Sequence, residues 1–397
     1  MEWTISRNPG VRNRMVVGMK SARRIRVAFC LDSFAIGGTE LNAVRTAEAF
    51  DRDRVDLSVF HLQTHGPLRS RYESLNVPIT HVPIPNLYSG KTLAQGMRLA
   101  GLLRSGNVDV VHSHDIYCNI FAIPFARLLT RCATIASRRW GIQASKPSLG
   151  RLNRWSSKLA DRILANSTGV ANILCANDGV HREKIIEIPN FLSENAFDIS
   201  DADSRVAERK GFGVPDGAFL VGIVARLSPV KNHLMLLNAI ARLDQKFHAV
   251  LIGDGPLRDT LRDTSIKLGI ATRVHFAGEV ISRRNLHACL DVSVLCSLSE
   301  GFPNSLIEAM AAARPVVSTP VGGVEDVITH DVTGLVVPVN DANSLAAALQ
   351  RLEADPGLRI RLGEAGRNAV RLKYAQRVVI EKLTELYDAL AIRRRRV

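Results

Sequence analysis

The sequence predicts an α/β protein built from two doubly wound parallel sheets that face each other across a cleft. Three observations predict it. Short, nearly uninterrupted apolar runs alternate with helical stretches along almost the whole chain; the alternation weakens once, across Leu192–Pro215, and then restarts; and polar, glycine-containing turns follow several of the strands. Apolar runs of this length separated by helices mark parallel strands covered on both faces. Two such sets joined by a polar linker mark two doubly wound domains, with ligands expected at the carboxyl ends of the strands.

The elements follow in order. Residues 1–24 are Arg-rich without apolar periodicity and read as a basic flexible arm. Ile25–Leu31 opens the first domain as a continuous apolar strand, followed by a glycine turn and a helix from about Thr39 to Phe50. Further strands are predicted at Asp56–Leu62, Ile79–Ile84, Val108–His112, Ala133–Ser137, Arg162–Ala165 and Ile185–Ile188, with helices such as Thr92–Leu103 and Cys118–Leu129 between them. After the polar linker, strands are predicted at Leu220–Val224, Ala249–Ile252, Val274–Ala277, Val292–Leu295, Val316–Ser318 and Leu335–Val337. The last helical stretches, Leu345–Glu353, Leu358–Tyr374 and Val378–Leu390, have no strands between them, and one is expected to cross back onto the first domain. The expected division is 25–195, 196–375 and a C-terminal helix with an Arg-rich tail over 376–397.

Composition narrows the function. The chain has 397 residues, 46% hydrophobic and 23% charged, ordinary values for a globular protein. No apolar run reaches the length that spans a bilayer, and Met15–Met19 is too short for the apolar part of a secretory signal. Six cysteines are scattered, mostly in apolar runs and without a CxxC pair, so they are expected as buried thiols in a reducing, cytoplasmic setting. Residues 1–200 carry 26 Lys+Arg against 16 Asp+Glu, and residues 201–397 carry 26 against 22. The basic first half suits an anionic membrane surface, with the protein peripheral on its inner face, or a phosphorylated substrate. Nucleic acid is not expected as a partner, because no recognition motif accompanies the charge and aromatic content is 5%.

The residues that carry chemistry sit just past strands. Ser299-Glu300-Gly301-Phe302-Pro303-Asn304-Ser305 follows one strand and opens the predicted helix Asn304–Ala313, with a second carboxylate at Glu308. A helix N-terminus presents backbone N–H groups to an anion, and a carboxylate accepts two hydroxyls of a vicinal diol. An isolated pair of glutamates is more often a cap and a surface residue, so the reading rests on their company. Arg226 and Lys231 leave another strand end together in Ala225-Arg226-Leu227-Ser228-Pro229-Val230-Lys231-Asn232. Two cations beside a helix N-terminus can neutralise a diphosphate without a metal. Gly253, in Ile252-Gly253-Asp254-Gly255-Pro256, lets backbone approach a ligand closely or simply makes a turn. Gly37 and Gly38 follow the first strand and could cradle a phosphate or admit a sugar. His114, at the end of Asp109–His114, is expected to point into the cleft, with His112 packed against the sheet.

Together these segments resemble glycosyltransferase family 4, retaining enzymes with the GT-B fold of two Rossmann-like domains, over about Ile25 to Tyr387. The family's spaced glutamates are met by Glu300 and Glu308, its basic pair by Arg226 and Lys231, its glycine loop by Gly37-Gly38-Thr39-Glu40 and its cleft histidine by His114. Ile188-Pro189-Asn190 looks like its interdomain hinge, and Gly322-Gly323 through Asp326 and Thr333-Gly334-Leu335 also follow its pattern. Ala313 departs from it, standing where most relatives have glycine, as does Asp326, where glutamate is commoner.

The resemblance implies transfer of a sugar, with retained configuration, from a UDP-sugar or GDP-sugar to a sugar, lipid-linked or small-molecule acceptor. Arg226, Lys231, Glu300 and His114 would act at the transfer centre. Gly37, Gly38, Gly253, Gly301, Phe302, Pro303, Asn304 and Glu308 would bind the donor. No cofactor and no metal are expected; Asp51-Arg52-Asp53 and Asp201-Ala202-Asp203 match a metal-diphosphate motif only superficially. Cell-surface polysaccharide or lipopolysaccharide assembly suits the basic first domain. A nucleotide-sugar epimerase on the same fold and a non-catalytic nucleotide-sugar-binding protein are the alternatives.

Overall fold

The structure, a computed structural model, describes residues 23–87, 89–139, 147–198, 202–280 and 286–395. Residues 1–22 of the basic arm, with Tyr88, Trp140, Lys146, Asp201 and Arg396, lie outside them.

Thirteen strands form two sheets among the described residues. In the first half they are β1 (Ile25–Leu31), β2 (Val55–His61), β3 (Ile79–His81), β4 (Val110–Ser113), β5 (Ala133–Arg138), β6 (Arg162–Ala165) and β7 (Ile185–Glu187). In the second half they are β8 (Phe219–Val224), β9 (Phe247–Ile252), β10 (Val274–Gly278), β11 (Val292–Leu295), β12 (Val316–Ser318) and β13 (Leu335–Val336). The sheet orders are β3-β2-β1-β4-β5-β6-β7 and β10-β9-β8-β11-β12-β13. Every strand pairing within them is parallel. In each sheet the chain starts in the middle, builds outward one way, then returns to build the other way. The resulting switch point, β1/β4 in one sheet and β8/β11 in the other, opens a crevice at the strand ends.

The strands are apolar on both faces because helices cover both. β9 (Phe-His-Ala-Val-Leu-Ile) is buried at every position, as are β4 and β11. Each lobe encloses its own core, one around Phe29, Val59 and Ile135, the other around Val221, Leu251 and Leu349. A third cluster, with Phe302, Leu306, Met310, Val324 and Tyr374, lies under the Asn304–Ala311 helix.

Two features differ from the sequence expectation. The polar linker contains a helix, Ala202–Gly211, held by Arg209, whose Nε donates to the Cys289 carbonyl at 2.6 Å and whose Nη2 lies 2.9 Å from Asp291. The C-terminal helix runs further than expected, Gln376–Arg395, and crosses back onto the first sheet. Its Val379, Ile380, Leu383, Tyr387, Leu390 and Ala391 join the first core at helical spacing. Tyr387 completes the contact: its hydroxyl lies 2.6 Å from His112 Nδ1, and Arg394 Nη2 donates to both Asp161 oxygens at 2.7 and 2.8 Å. No helix among the described residues is long and apolar enough to cross a membrane.

Candidate active site

Two loops at the carboxyl end of the second sheet are locked together before they meet any ligand. Leu298 N donates to the Val230 carbonyl at 2.8 Å, joining the loop after β11 to the loop after β8. The turn after β9 supports the same loop from beneath. Gly253 has φ +139, and a Cβ there would lie 2.1 Å from the Ala225 carbonyl oxygen. Gly253 therefore positions the Arg226 loop by packing, and it does not line the cleft.

Lys231 ends a short 3-10 turn, Pro229–Lys231, and Asn232 then takes a left-handed conformation (φ 50) to start the helix His233–Ile240. Lys231 Nζ donates to Glu300 Oε1 at 2.5 Å, and Ser297 Oγ donates to the same oxygen at 2.6 Å. The basic and acidic motifs, 69 residues apart, thus form one ion pair, with Glu300 largely buried and Lys231 partly exposed. Arg226 is exposed, with no carboxylate within ion-pair distance among the described residues. Asn304 opens the Asn304–Ala311 helix after Pro303, and no side chain caps that N-terminus. In its first turn the N–H groups of Asn304, Leu306 and Ile307 donate to the Phe302 and Pro303 carbonyls, which leaves Ser305 N, with the positive end of the helix, to favour an anion.

These groups meet in a cavity of about 540 Å³ between the lobes. Arg226, Lys231, Glu300, Gly301, Phe302 and Asn304 line it from the second lobe; Gly38, Thr39, Arg139, Asn166 and Asn190 line it from the first. A larger hollow of about 720 Å³ lies at the far end of the first sheet, around Arg23, Arg104, Arg131 and Arg394. It holds none of the predicted site residues.

The remaining predicted residues lie around this lining. Gly37 sits at the N-cap of the Gly38–Ala49 helix. Phe302 turns into the third core, edge-on to Tyr374 at 5.5 Å, so its ring holds the loop while its backbone borders the cavity. Glu308 projects from the second turn of its helix, partly exposed, with Oε2 3.9 Å from His287 Nε2. Burial raises its pKa, and Arg45 across the cleft opposes that shift. Burial also pulls His287 down to about 4, so at neutral pH the Glu308 contact is not an ion pair. Asp51 only turns the chain, accepting from Asp53 N at 2.9 Å.

His114 corrects the sequence expectation. It is 2% exposed and lies outside the cavity lining. Its ring stacks on His112 at 4.1 Å and meets Phe29 at 4.3 Å, and neither ring nitrogen has a partner. It faces a small void behind the cleft that it shares with Asn42, Arg139 and Ile188. Burial, His112 and Arg139 all depress its pKa, so the ring is neutral. The expectation failed because β4 is buried on both faces, so strand alternation gave no outward side.

Sequence reasoning also missed a polar chain across the cleft. Arg139 Nη1 donates to Asn190 Oδ1 at 2.7 Å, and Asn190 Nδ2 donates to Asn304 Oδ1 at 2.9 Å. Asn190 belongs to the hinge-like segment noted in the sequence, but nothing there paired it with Arg139. A second seam joins the lobes: Ser167 Oγ donates to the Gly301 carbonyl at 2.7 Å, and Thr168 N donates to Asp326 Oδ2 at 2.8 Å.

Two doubly wound parallel lobes with a cation-lined cleft define the class: a nucleotide-sugar-handling enzyme of the GT-B fold. Residues 36–195 match the family described as glycosyltransferase family 4, and residues 204–369 match that described as glycosyl transferases group 1. The chain belongs to this glycosyltransferase family. It is 28% identical over 322 residues to the N-acetyl-alpha-D-glucosaminyl L-malate synthase of Bacillus anthracis, covering 76% of this chain and 81% of that one. It is 29% identical over 243 residues to the lipopolysaccharide core biosynthesis glycosyltransferase LpsE of Rhizobium meliloti, covering 60% and 68%. Among solved structures, Anabaena HepE in complex with UDP superposes with a TM-score of 0.83 at 20% identity, over 92% of this chain and all of that one.

Proposed function

We propose that the protein transfers a sugar, with retained configuration, from a UDP-sugar to an acceptor held by the first lobe. The carrying observation is the convergence of Arg226, Lys231 and the uncapped Asn304 helix on one cavity. Arg226 lacks a counter-ion, and Lys231 has only Glu300. A diphosphate supplies the charge this wall lacks, which is why no metal is needed to hold it. That Anabaena HepE superposes in a complex with UDP supports the choice of nucleotide.

In this scheme Glu300 and the backbone of Gly301–Asn304 hold the sugar hydroxyls, and Glu308 takes the ribose diol. The acceptor attacks on the face the leaving group departs from, and a phosphate oxygen of the donor takes its proton. Arg226, Lys231 and the helix N-terminus stabilise the departing diphosphate. Acceptors in lipopolysaccharide or other cell-surface polysaccharide assembly fit the basic first lobe and the role named for LpsE.

Replacing Arg226 or Lys231 by Ala is expected to lower kcat by about 10²–10³ fold, the usual loss when one donor to a developing anion is removed. Steady-state kinetics with UDP-sugars measure it; near-normal turnover in both variants rules the scheme out.

A further inference from the structure

We propose that Arg139 and Asn166 form the acceptor's anchor, and that the acceptor is a hydroxyl-bearing anion, a carboxylate or phosphate, rather than a neutral sugar. The inference rests on the transferase reading above and deepens it.

Arg139 follows β5, in the half of the cleft opposite Arg226 and Lys231, and lines the same cavity. Its guanidinium is held by amides alone. Asn190 Oδ1 accepts from Nη1 at 2.7 Å, and Asn42, with its amide oxygen turned to the guanidinium, accepts from Nη1 at 2.9 Å and Nη2 at 3.0 Å. Among the described residues Nε is buried without a partner, and no carboxylate lies within ion-pair distance. Burial lowers its pKa to about 10, with Tyr387 and Glu40 opposing, so the group remains charged at neutral pH. A planar, charged fork fixed by neutral amides and lacking a counter-ion is preorganised for a carboxylate or phosphate. Leaving such a charge unpaired is costly, and an incoming anion removes that cost.

Asn166 supplies an independent observation. It directly follows β6, lines the same cavity, is 4% exposed, and its Oδ1 has no hydrogen-bond partner among the described residues. An unpartnered amide oxygen on a residue that lines the cavity is suited to accept from a hydroxyl. An anion receptor and a hydroxyl receptor on the acceptor wall describe an acceptor with both groups.

The diphosphate is the competing occupant of Arg139, and the test separates the two. The purified full-length chain is saturated with UDP, then titrated with inorganic phosphate, L-malate or succinate while thermal midpoints are followed. Phosphate and L-malate are expected to raise the midpoint further, and succinate, which lacks the hydroxyl, to do so less than L-malate. In Arg139→Gln the phosphate and malate responses are expected to weaken at least about tenfold in apparent affinity while UDP affinity stays at the wild-type value. Arg139→Lys keeps a charge without the fork and is expected to recover part of the response. Asn166→Ala is expected to erase the preference for malate over succinate, a readout that survives even if Arg139→Gln folds poorly.

The proposal is overturned if the UDP complex responds to neither anion. It is equally overturned if Arg139→Gln responds as wild type does, or if it loses UDP affinity as Arg226→Ala does. Absence of any UDP response in the wild type removes the donor reading instead; phosphate stabilisation lost in Arg139→Gln would then still establish the anion site.

Discussion

At the residue scale, the cleft is an arrangement of charges in which one pair is already satisfied. Lys231 and Glu300 neutralise each other, whereas Arg226 and Arg139, on opposite walls, have no counter-ion among the described residues. In the proposed scheme a diphosphate meets the Arg226 guanidinium and one masked ammonium, and Arg139 is left for the acceptor. Ala313 shows a different residue-scale effect. It has φ +55, a conformation that costs a residue with a Cβ about 1–2 kcal/mol. The departure from the family's glycine noted in the sequence is thus a strained position. Ala313→Gly is expected to stabilise the fold by up to about 1 kcal/mol once glycine's greater unfolded-state entropy is subtracted. Urea unfolding measures it, and a lower midpoint would contradict the reading.

At the scale of elements, the Glu300 loop is backed within the second lobe by a backbone contact with no room for a side chain. Gly322 has φ +56, and a Cβ there would lie 1.8 Å from the carbonyl oxygen of Glu300. That close approach fixes the Glu300 loop from behind while Ser167 fixes it from the other lobe. Gly322→Ala is expected to lower the thermal midpoint by several degrees, the effect of about 1–3 kcal/mol in a domain of this size. It should also lower kcat at least about tenfold by displacing Glu300. Unchanged kinetics would mean the loop is positioned by other contacts.

Elements were also where the sequence was most and least readable. β6, β11 and β12 have the bounds their apolar runs predicted, because a buried parallel strand leaves an unbroken signature. The Ala202–Gly211 helix left almost none. Its Val206 is 48% exposed, and its hold on the fold is the reach of Arg209 to Cys289 and Asp291, about 80 residues away. Motif residues of the donor site were legible because each sits beside a strand end. The Arg139–Asn190–Asn304 chain was not, because it exists only once three distant segments meet.

At the scale of the whole molecule, buried histidines set the pH limit. His112, His233 and His287 are held by burial at about 3, 4 and 4, and His114 lies well below its ordinary value. Unfolded histidine takes up a proton near 6.5, whereas these stay neutral in the fold. Their contribution is therefore complete above pH 6.5 and declines as pH falls towards 4. Each such group removes about 1.4 kcal/mol per pH unit across its window. Urea midpoints are expected to drop steeply between pH 6.5 and 5; a flat profile would show that the rings are protonated in the folded protein.

The route of the chain between lobes has a practical consequence. It leaves the first lobe at Leu192 and returns at Ala375, and the two passages lie side by side: Leu192 N donates to the Tyr374 carbonyl at 2.8 Å, and Gln376 N donates to the Leu192 carbonyl at 2.9 Å. The second lobe thus enters and exits through one doorway, while both outer ends of the described chain belong to the first lobe. For a protein engineer that doorway is a pair of splice points, through which a relative's second lobe could be grafted as a single cassette beneath an unaltered first lobe.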